Sequence, residues 1–148
     1  MPWHPVLVHY PIALTIMAAV FQLFAVLGRR TGFFLPALVC LCAAGMAGIT
    51  AAITGTAQEQ LVKELPGIHA ALERHETLGN LSAWTLGAGG LLSIYLYLKG
   101  QLRPRLFLLA LVLAGTLVLV TGHYGGRLVY SHGAGVSVPV PGELEPVR

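Results

Sequence analysis

The chain has 148 residues, of which 55% are hydrophobic and only 10% are charged, and its formal net charge is +3. A water-soluble domain carries roughly 25% charged residues, so this composition excludes a soluble globular protein. It predicts that most of the protein surface faces a lipid bilayer. We expect no nucleic acid as a partner.

Four apolar runs follow one another along the chain. Each reaches about 20 residues, the length that a helix needs to cross a hydrocarbon core of about 30 Å. The sequence therefore predicts an all-α fold, a bundle of four transmembrane helices in a single integral membrane domain over residues 1–148. The predicted spans are about 5–28, 33–55, 77–98 and 106–122.

The first run begins almost at Met1, with no basic segment before it and no small-residue cleavage site after it. A secretory signal peptide has both features. We therefore expect the first run to remain in the protein as a membrane span.

Charge in the connections predicts the orientation of the spans. In the loops "GRRTG" and "KGQLRPR" every charged side chain is basic: Arg29, Arg30, Lys99, Arg103 and Arg105. Lysine and arginine in short loops mark the cytoplasmic side of a membrane protein. The pattern predicts a multi-pass protein of the bacterial inner membrane, with both termini and the middle loop on the outer, periplasmic side.

The middle loop contains signals for local structure. The stretch "TAQE" over 56–59 fits a capping box, which predicts a short helix in this loop. The dipeptide Pro66-Gly67 would end that helix. Helix would then resume near Ile68 and run without a break into the third span.

Small residues recur at every fourth position of the second span, at Ala43, Ala47, Ala51 and Gly55. Such a pattern lets membrane helices approach closely. Helix packing within the bundle is one interpretation, and room for a flat cofactor beside the backbone is another. The same face would also serve a homodimer or a larger complex.

Six histidines all fall on the predicted outer side: His4, His9, His69, His75, His123 and His132. Residues three, four and seven apart share one face of a helix. His75 shares its face with Gly79 and Ser82, and that face continues into the third span, so we expect His75 to point into the bundle. Ile12 and Ile16 follow His9 in the same way, which predicts that His9 also points inward.

His69 differs because it shares a polar face with Glu73 and Glu76. We expect its side chain to be solvated. His123 lies in "TGHYGG", where the glycines permit a bend. Gly125 and Gly126 are expected to end the fourth span, and the chain after them would fold His132 over the outer mouth of the bundle.

Ionisable groups at membrane depth are costly and usually have a function. Neutral imidazole binds iron, copper, zinc and nickel, and helical bundles hold haem iron between facing histidines. The sequence lacks C-x-x-C-H, the attachment motif of c-type haem. Arg127 is a candidate partner for haem propionates or for another anion.

Three stretches, "HPVLVHYPIAL", "HETLGN" and "GGRLVYSHGAGV", together resemble the DUF2231 family of predicted membrane proteins. The resemblance covers essentially the whole chain. It implies four membrane spans, and it places His4, His9, His75 and His132 at the histidine positions of the family. Some members are joined to, or found beside, electron-transfer domains such as cytochromes c. His123 stands where the family pattern has an apolar residue.

Three hypotheses follow for the function. The first is an electron-transfer protein with one or two b-type haems, held by His4, His9, His75 and His132. His123, His69 and Arg127 are further candidates for that site. Its partners would be a membrane quinol and an outer-side cytochrome or other redox protein. The second is a protein that binds a copper, zinc or iron ion through the same four histidines. The third is a structural subunit of a membrane complex, and in all three cases we expect a carrier or subunit rather than a stand-alone enzyme.

Overall fold

A computed structural model describes residues 3–29, 31–60 and 62–136. The described residues form five helices and one 3₁₀ turn, with no strand among them. In chain order these are α1 (His4–Leu7), α2 (His9–Leu27), the 3₁₀ turn (Thr31–Phe33), α3 (Phe34–Glu59), α4 (His69–Leu98) and α5 (Pro104–His132).

Four helical segments are long and apolar enough to cross a membrane. They are His4–Leu27, Thr31–Glu59, His69–Leu98 and Pro104–His132. The prediction of an all-α protein with four candidate membrane helices is therefore confirmed. The side of the membrane on which each terminus lies stays a prediction.

The four long helices form an up-and-down bundle. α2 packs on α3, α3 on α4 and α4 on α5, and α5 returns to pack on α2. Short connections between successive helices make neighbours antiparallel. One end of the bundle carries His4 and His75 and is called the histidine end below. The opposite end carries Arg29, Lys99 and Arg103 and is called the basic end.

Side chains divide between the interior and the outer surface as a membrane bundle requires. Phe107, Leu86 and Leu111 are fully buried between the helices. Large apolar side chains such as Trp84 and Leu91 are mostly exposed on the outside, at 72% and 73% of their surface. Because lipid tails are as apolar as leucine, exposing such residues on the outside of a membrane protein carries no hydrophobic cost.

The small residues of the second span pack against the next helix. A Cβ atom at Gly45 would lie 3.0 Å from the Cα atom of Gly87, and one at Gly90 would lie 3.6 Å from the Cα atom of Cys42. The backbones of α3 and α4 therefore touch in the middle of the bundle. At Gly45 and Cys42, which lie beside the pattern of Ala43, Ala47, Ala51 and Gly55, α4 occupies the space that a flat cofactor would need.

Two predictions are wrong: the start of a short helix at residues 56–59, and the end of the fourth span at Gly125 and Gly126. The residues of the supposed capping box complete α3, and the Thr56 hydroxyl donates a hydrogen bond back to the Ala52 carbonyl at 3.3 Å. Turns rather than a separate short helix occupy residues 62–67, the described part of the middle loop. α5 continues through Gly125 and Gly126 to His132, and its C-cap Gly133 has a left-handed φ of 69°. Helix resumes at His69 and runs unbroken to Leu98, as predicted.

Candidate functional site

His4 and His75 meet at the histidine end of the bundle. Their ring centroids are 6.2 Å apart, and the ring planes stand at 78° to each other. His4 comes from the short helix α1 and His75 from the second turn of α4. Both side chains are partly buried. They are called the histidine pair below.

His4 is fixed against α3. Its Nδ1 atom lies 2.9 Å from the Ala51 carbonyl oxygen and 3.4 Å from the Thr54 hydroxyl. Since a carbonyl only accepts hydrogen bonds, Nδ1 carries the proton and donates it. Gly55 makes this position available, because a Cβ atom there would lie 2.9 Å from Cε1 of His4.

His75 is fixed against α5 in the same manner. Its Nδ1 atom donates a hydrogen bond to the Thr121 carbonyl oxygen at 3.2 Å. The ring lies over Gly125, where a Cβ atom would be 3.0 Å from Cε1. Gly125 therefore does not end the span as expected. It gives the ring of His75 access to the backbone of a helix that continues past it.

Thr121 joins α4 to α5 beside the pair. Its hydroxyl lies 2.8 Å from the Ser82 hydroxyl, and it donates towards the Leu78 and Leu117 carbonyls at 3.2 and 2.9 Å. Ser82 was predicted to share the face of His75, whereas Thr121 was not among the predicted site residues. A feature of the sequence that could have pointed to Thr121 is its place one helical turn before Gly125, the glycine that accommodates the ring of His75.

The hydrogen bonds leave both histidines with the same free atom. With Nδ1 protonated, Nε2 of a neutral imidazole holds a lone pair. Neither Nε2 has a hydrogen-bond partner among the described residues. Histidines that bind metals donate their other ring nitrogen to a carbonyl or carboxylate, which fixes the tautomer and the ring. Both members of the pair show this arrangement.

The ring separation matches, in length alone, the spacing of two imidazoles on one metal ion. An imidazole nitrogen binds zinc at about 2.0–2.1 Å, and the ring centroid lies about 1 Å behind that nitrogen. Two imidazoles on opposite sides of one ion therefore have centroids about 6 Å apart, close to the observed 6.2 Å. Among the described residues no third histidine, cysteine or acidic side chain joins the pair.

The expectation that His9 points inward is wrong, since its side chain is exposed. The buried face of α2 is formed by Pro11, Thr15, Ala18 and Gln22. His9 precedes Pro11 by two residues, which puts it on nearly the opposite side of the helix. Its assignment as a ligand rests on the resemblance alone.

Two other histidines also stay outside the pair. His69 is exposed, in agreement with the expectation of a solvated side chain. His123 is exposed as well, and its ring meets the edge of Tyr124 at a centroid distance of 5.7 Å.

His132 occupies the last turn of α5 rather than a segment folded over the bundle mouth. It lines a groove of about 260 Å³ between the beginning of α4 and the end of α5. Arg74 and Arg127 line the same groove. The structure thus separates His132 from the histidine pair and groups it with two cations at the histidine end.

The chain matches a known protein family over nearly its whole length. Neither the curated proteins nor the solved structures contain a match to this chain. A family model described as predicted membrane protein matches residues 1–138, nearly the whole length. The chain, with its four candidate membrane helices, belongs to the DUF2231 family of predicted membrane proteins.

Proposed function

We propose that the protein is a membrane electron-transfer protein that binds one b-type haem between His4 and His75. The observation that carries the proposal is the pair itself: two imidazoles with centroids 6.2 Å apart, each with Nδ1 bonded to a backbone carbonyl. Bound haem would supply a one-electron redox couple at one end of the bundle.

The number of ligands favours haem over a bare ion. Haem iron takes four nitrogens from the porphyrin and needs only two axial ligands from the protein. A structural zinc ion takes four protein ligands, and a catalytic zinc ion takes three. The described residues supply two imidazoles and no third histidine, cysteine or acidic side chain close to them. The pair therefore matches the number of axial ligands that a haem needs, whereas the described residues offer fewer ligands near it than a zinc ion takes.

Cations at the same end support the proposal. Arg74 directly precedes His75 in sequence, and it lines the groove shared by Arg127 and His132. Arginine binds carboxylates in bidentate fashion, so these two side chains suit the propionates of a haem. A quinol in the bilayer and an outer-side cytochrome are the proposed electron partners, and the bacterial inner membrane is the proposed location.

The test is an absorption spectrum of the protein purified in mild detergent from cells supplied with haem precursor. We expect a Soret band that shifts on reduction with dithionite, and about one iron per chain by metal analysis. Copper or zinc without a Soret band would overturn the haem proposal in favour of an ion. A sample with neither metal nor haem would support the structural hypothesis.

Substitutions separate the ligand role of the pair from its structural role. In His4→Asn and His75→Asn the side-chain amide nitrogen replaces Nδ1 as hydrogen-bond donor, while Nε2 is lost. We expect both variants to fold and to lose the Soret band. His9→Ala is the matched control, because His9 lies five residues from His4 and is exposed. Retention of the full band in both Asn variants would refute the proposed ligands.

A further inference from the structure

A second groove lies at the basic end of the bundle, on the side opposite the histidine pair. It encloses about 500 Å³ between the end of α2 and the beginning of α5. Three arginines line it, Arg29, Arg103 and Arg105. Ala25, Val26, Pro104 and Leu106 form the rest of its wall. This set of residues is called the basic groove below.

The positive charge of the basic groove is uncompensated. The four described acidic residues, Glu59, Glu64, Glu73 and Glu76, lie at the end of α3, in the middle loop and in the first turns of α4. They are thus at the histidine end. Among the described residues no carboxylate lies within ion-pair distance of the three arginines. All three arginine side chains are exposed, so an anion from outside the described residues can reach them.

Backbone groups add to the attraction for an anion. α5 begins at Pro104, and no side chain caps its N-terminus. The first amides of a helix that lack a cap, together with the helix dipole, favour negative charge. Gln22 holds this end in place from α2, since its side-chain amide donates to the Pro104 carbonyl at 2.9 Å.

Arg29 adopts an unusual backbone conformation. Its φ is 50°, in the left-handed region, while the adjacent Gly28 keeps a right-handed helical conformation with φ of −79°. Helices commonly end with a left-handed residue directly after the C-cap, usually a glycine, and Arg29 holds that position at the end of α2. Here the conformation accompanies an arginine that lines the groove.

The apolar wall determines the class of ligand. Ala25, Val26 and Leu106 belong to the first or last turns of spans, so they lie where a span meets the membrane surface. A free phosphate would contact only the arginines, whereas a phospholipid also has acyl chains to place on the apolar residues. Basic pockets between membrane helices bind anionic lipid headgroups.

We propose that the basic groove binds the phosphate of an anionic phospholipid, with its acyl chains on Ala25, Val26 and Leu106. The proposal is independent of haem, since the groove and the histidine pair lie at opposite ends of the bundle. A failure of one leaves the other unaffected.

The test is a lipid titration of the detergent-purified protein, followed by native mass spectrometry. We expect phosphatidylglycerol to bind in a saturable manner and phosphatidylcholine to bind at least about fivefold more weakly. Equal binding of the two lipids would overturn the proposal. Competition by inorganic phosphate at the same concentration would assign the groove to free phosphate instead.

Variants locate the binding. Arg103→Gln and Arg105→Gln should each weaken phosphatidylglycerol binding about fivefold, the effect of one basic residue near an anionic surface. Lys99→Gln is the matched control, because Lys99 is exposed at the same end but does not line the groove. An equal loss in Lys99→Gln would show general attraction to the surface and refute a defined site.

Ala25→Phe keeps every charge and fills the apolar side of the groove. We expect it to weaken phosphatidylglycerol binding without changing the helical content measured by circular dichroism. Unchanged binding in this variant would refute the acyl-chain contacts, and with them the assignment to a lipid. This variant also keeps the proposal testable if an arginine variant fails to fold.

Discussion

Replacement of Gly55 by alanine tests how the histidine pair is held. A Cβ atom at this position would lie 2.9 Å from Cε1 and 3.3 Å from Nδ1 of His4. Both distances are too short, so the ring must move. The ring is the end of a side chain and can rotate away, but it then loses its 2.9 Å hydrogen bond to the Ala51 carbonyl.

The magnitude follows from two opposing terms. Alanine favours a helix interior over glycine by about 0.8–1.0 kcal/mol. Loss of the hydrogen bond from a partly buried imidazole costs about 0.5–1.5 kcal/mol. We therefore expect Gly55→Ala to leave the free energy of unfolding nearly unchanged.

Gly79→Ala is the matched control for this substitution. Gly79 lies at the same end of the bundle, and the nearest atom to its Cβ position is Cγ2 of Thr121 at 3.9 Å, an ordinary contact. We expect Gly79→Ala to raise the free energy of unfolding by about 1 kcal/mol, the full difference in helix propensity between alanine and glycine. The measurement is unfolding of both variants in detergent micelles by titration with a denaturing detergent. Equal gains in the two variants would refute the close packing of His4 against α3.

Three further predictions concern the bundle and the site. Gly45→Ala should lower the free energy of unfolding by about 1–3 kcal/mol, because its Cβ would lie 3.0 Å from the backbone of Gly87 and must push two helices apart. Gly89→Ala is its control and should not lower the free energy of unfolding, because no atom lies within 4 Å of a Cβ at Gly89. Equal effects of the two substitutions would contradict the close contact between α3 and α4 at Gly45. Thr121→Val should cost about 1 kcal/mol by the same assay, since it leaves the Ser82 hydroxyl without its partner on α5. Thr116→Val is its control, as that hydroxyl bonds only the Val112 carbonyl of its own helix, and an equal cost would argue against the link between α4 and α5. If the haem proposal holds, His75→Met should keep a haem band and raise the midpoint potential in a redox titration, because methionine as an axial ligand raises it. An unchanged potential would exclude His75 as a ligand.

The sequence alone was sufficient for the membrane architecture. Long apolar runs force helices, because a backbone in lipid must satisfy its hydrogen bonds within its own segment. The number of runs that are long enough to cross a bilayer then gives the number of spans. Two helix ends were predicted wrongly, because Thr56 and Gly125 carry signals for an N-terminus and a C-terminus, yet α3 and α5 continue through them.

Part of the site was also visible in the sequence. His75 was correctly assigned to the interior, since the face it shares with Gly79 and Ser82 runs on into the span. His9 was not, because the helical phase of α2 is set by the residues that its neighbours bury, among them Pro11 and Thr15. Periodicity over one short segment does not decide between two apolar faces.

Four long apolar runs, and the places of the six histidines between them, predict a four-helix membrane protein with its histidines near one end. Which two histidines meet could not be read from those features: the packed bundle brings His4 and His75 together, and glycines on α3 and α5 provide their positions. A period of 3.6 residues indicates which face of each helix is buried, while the residues that this face contacts depend on how the four helices pack together.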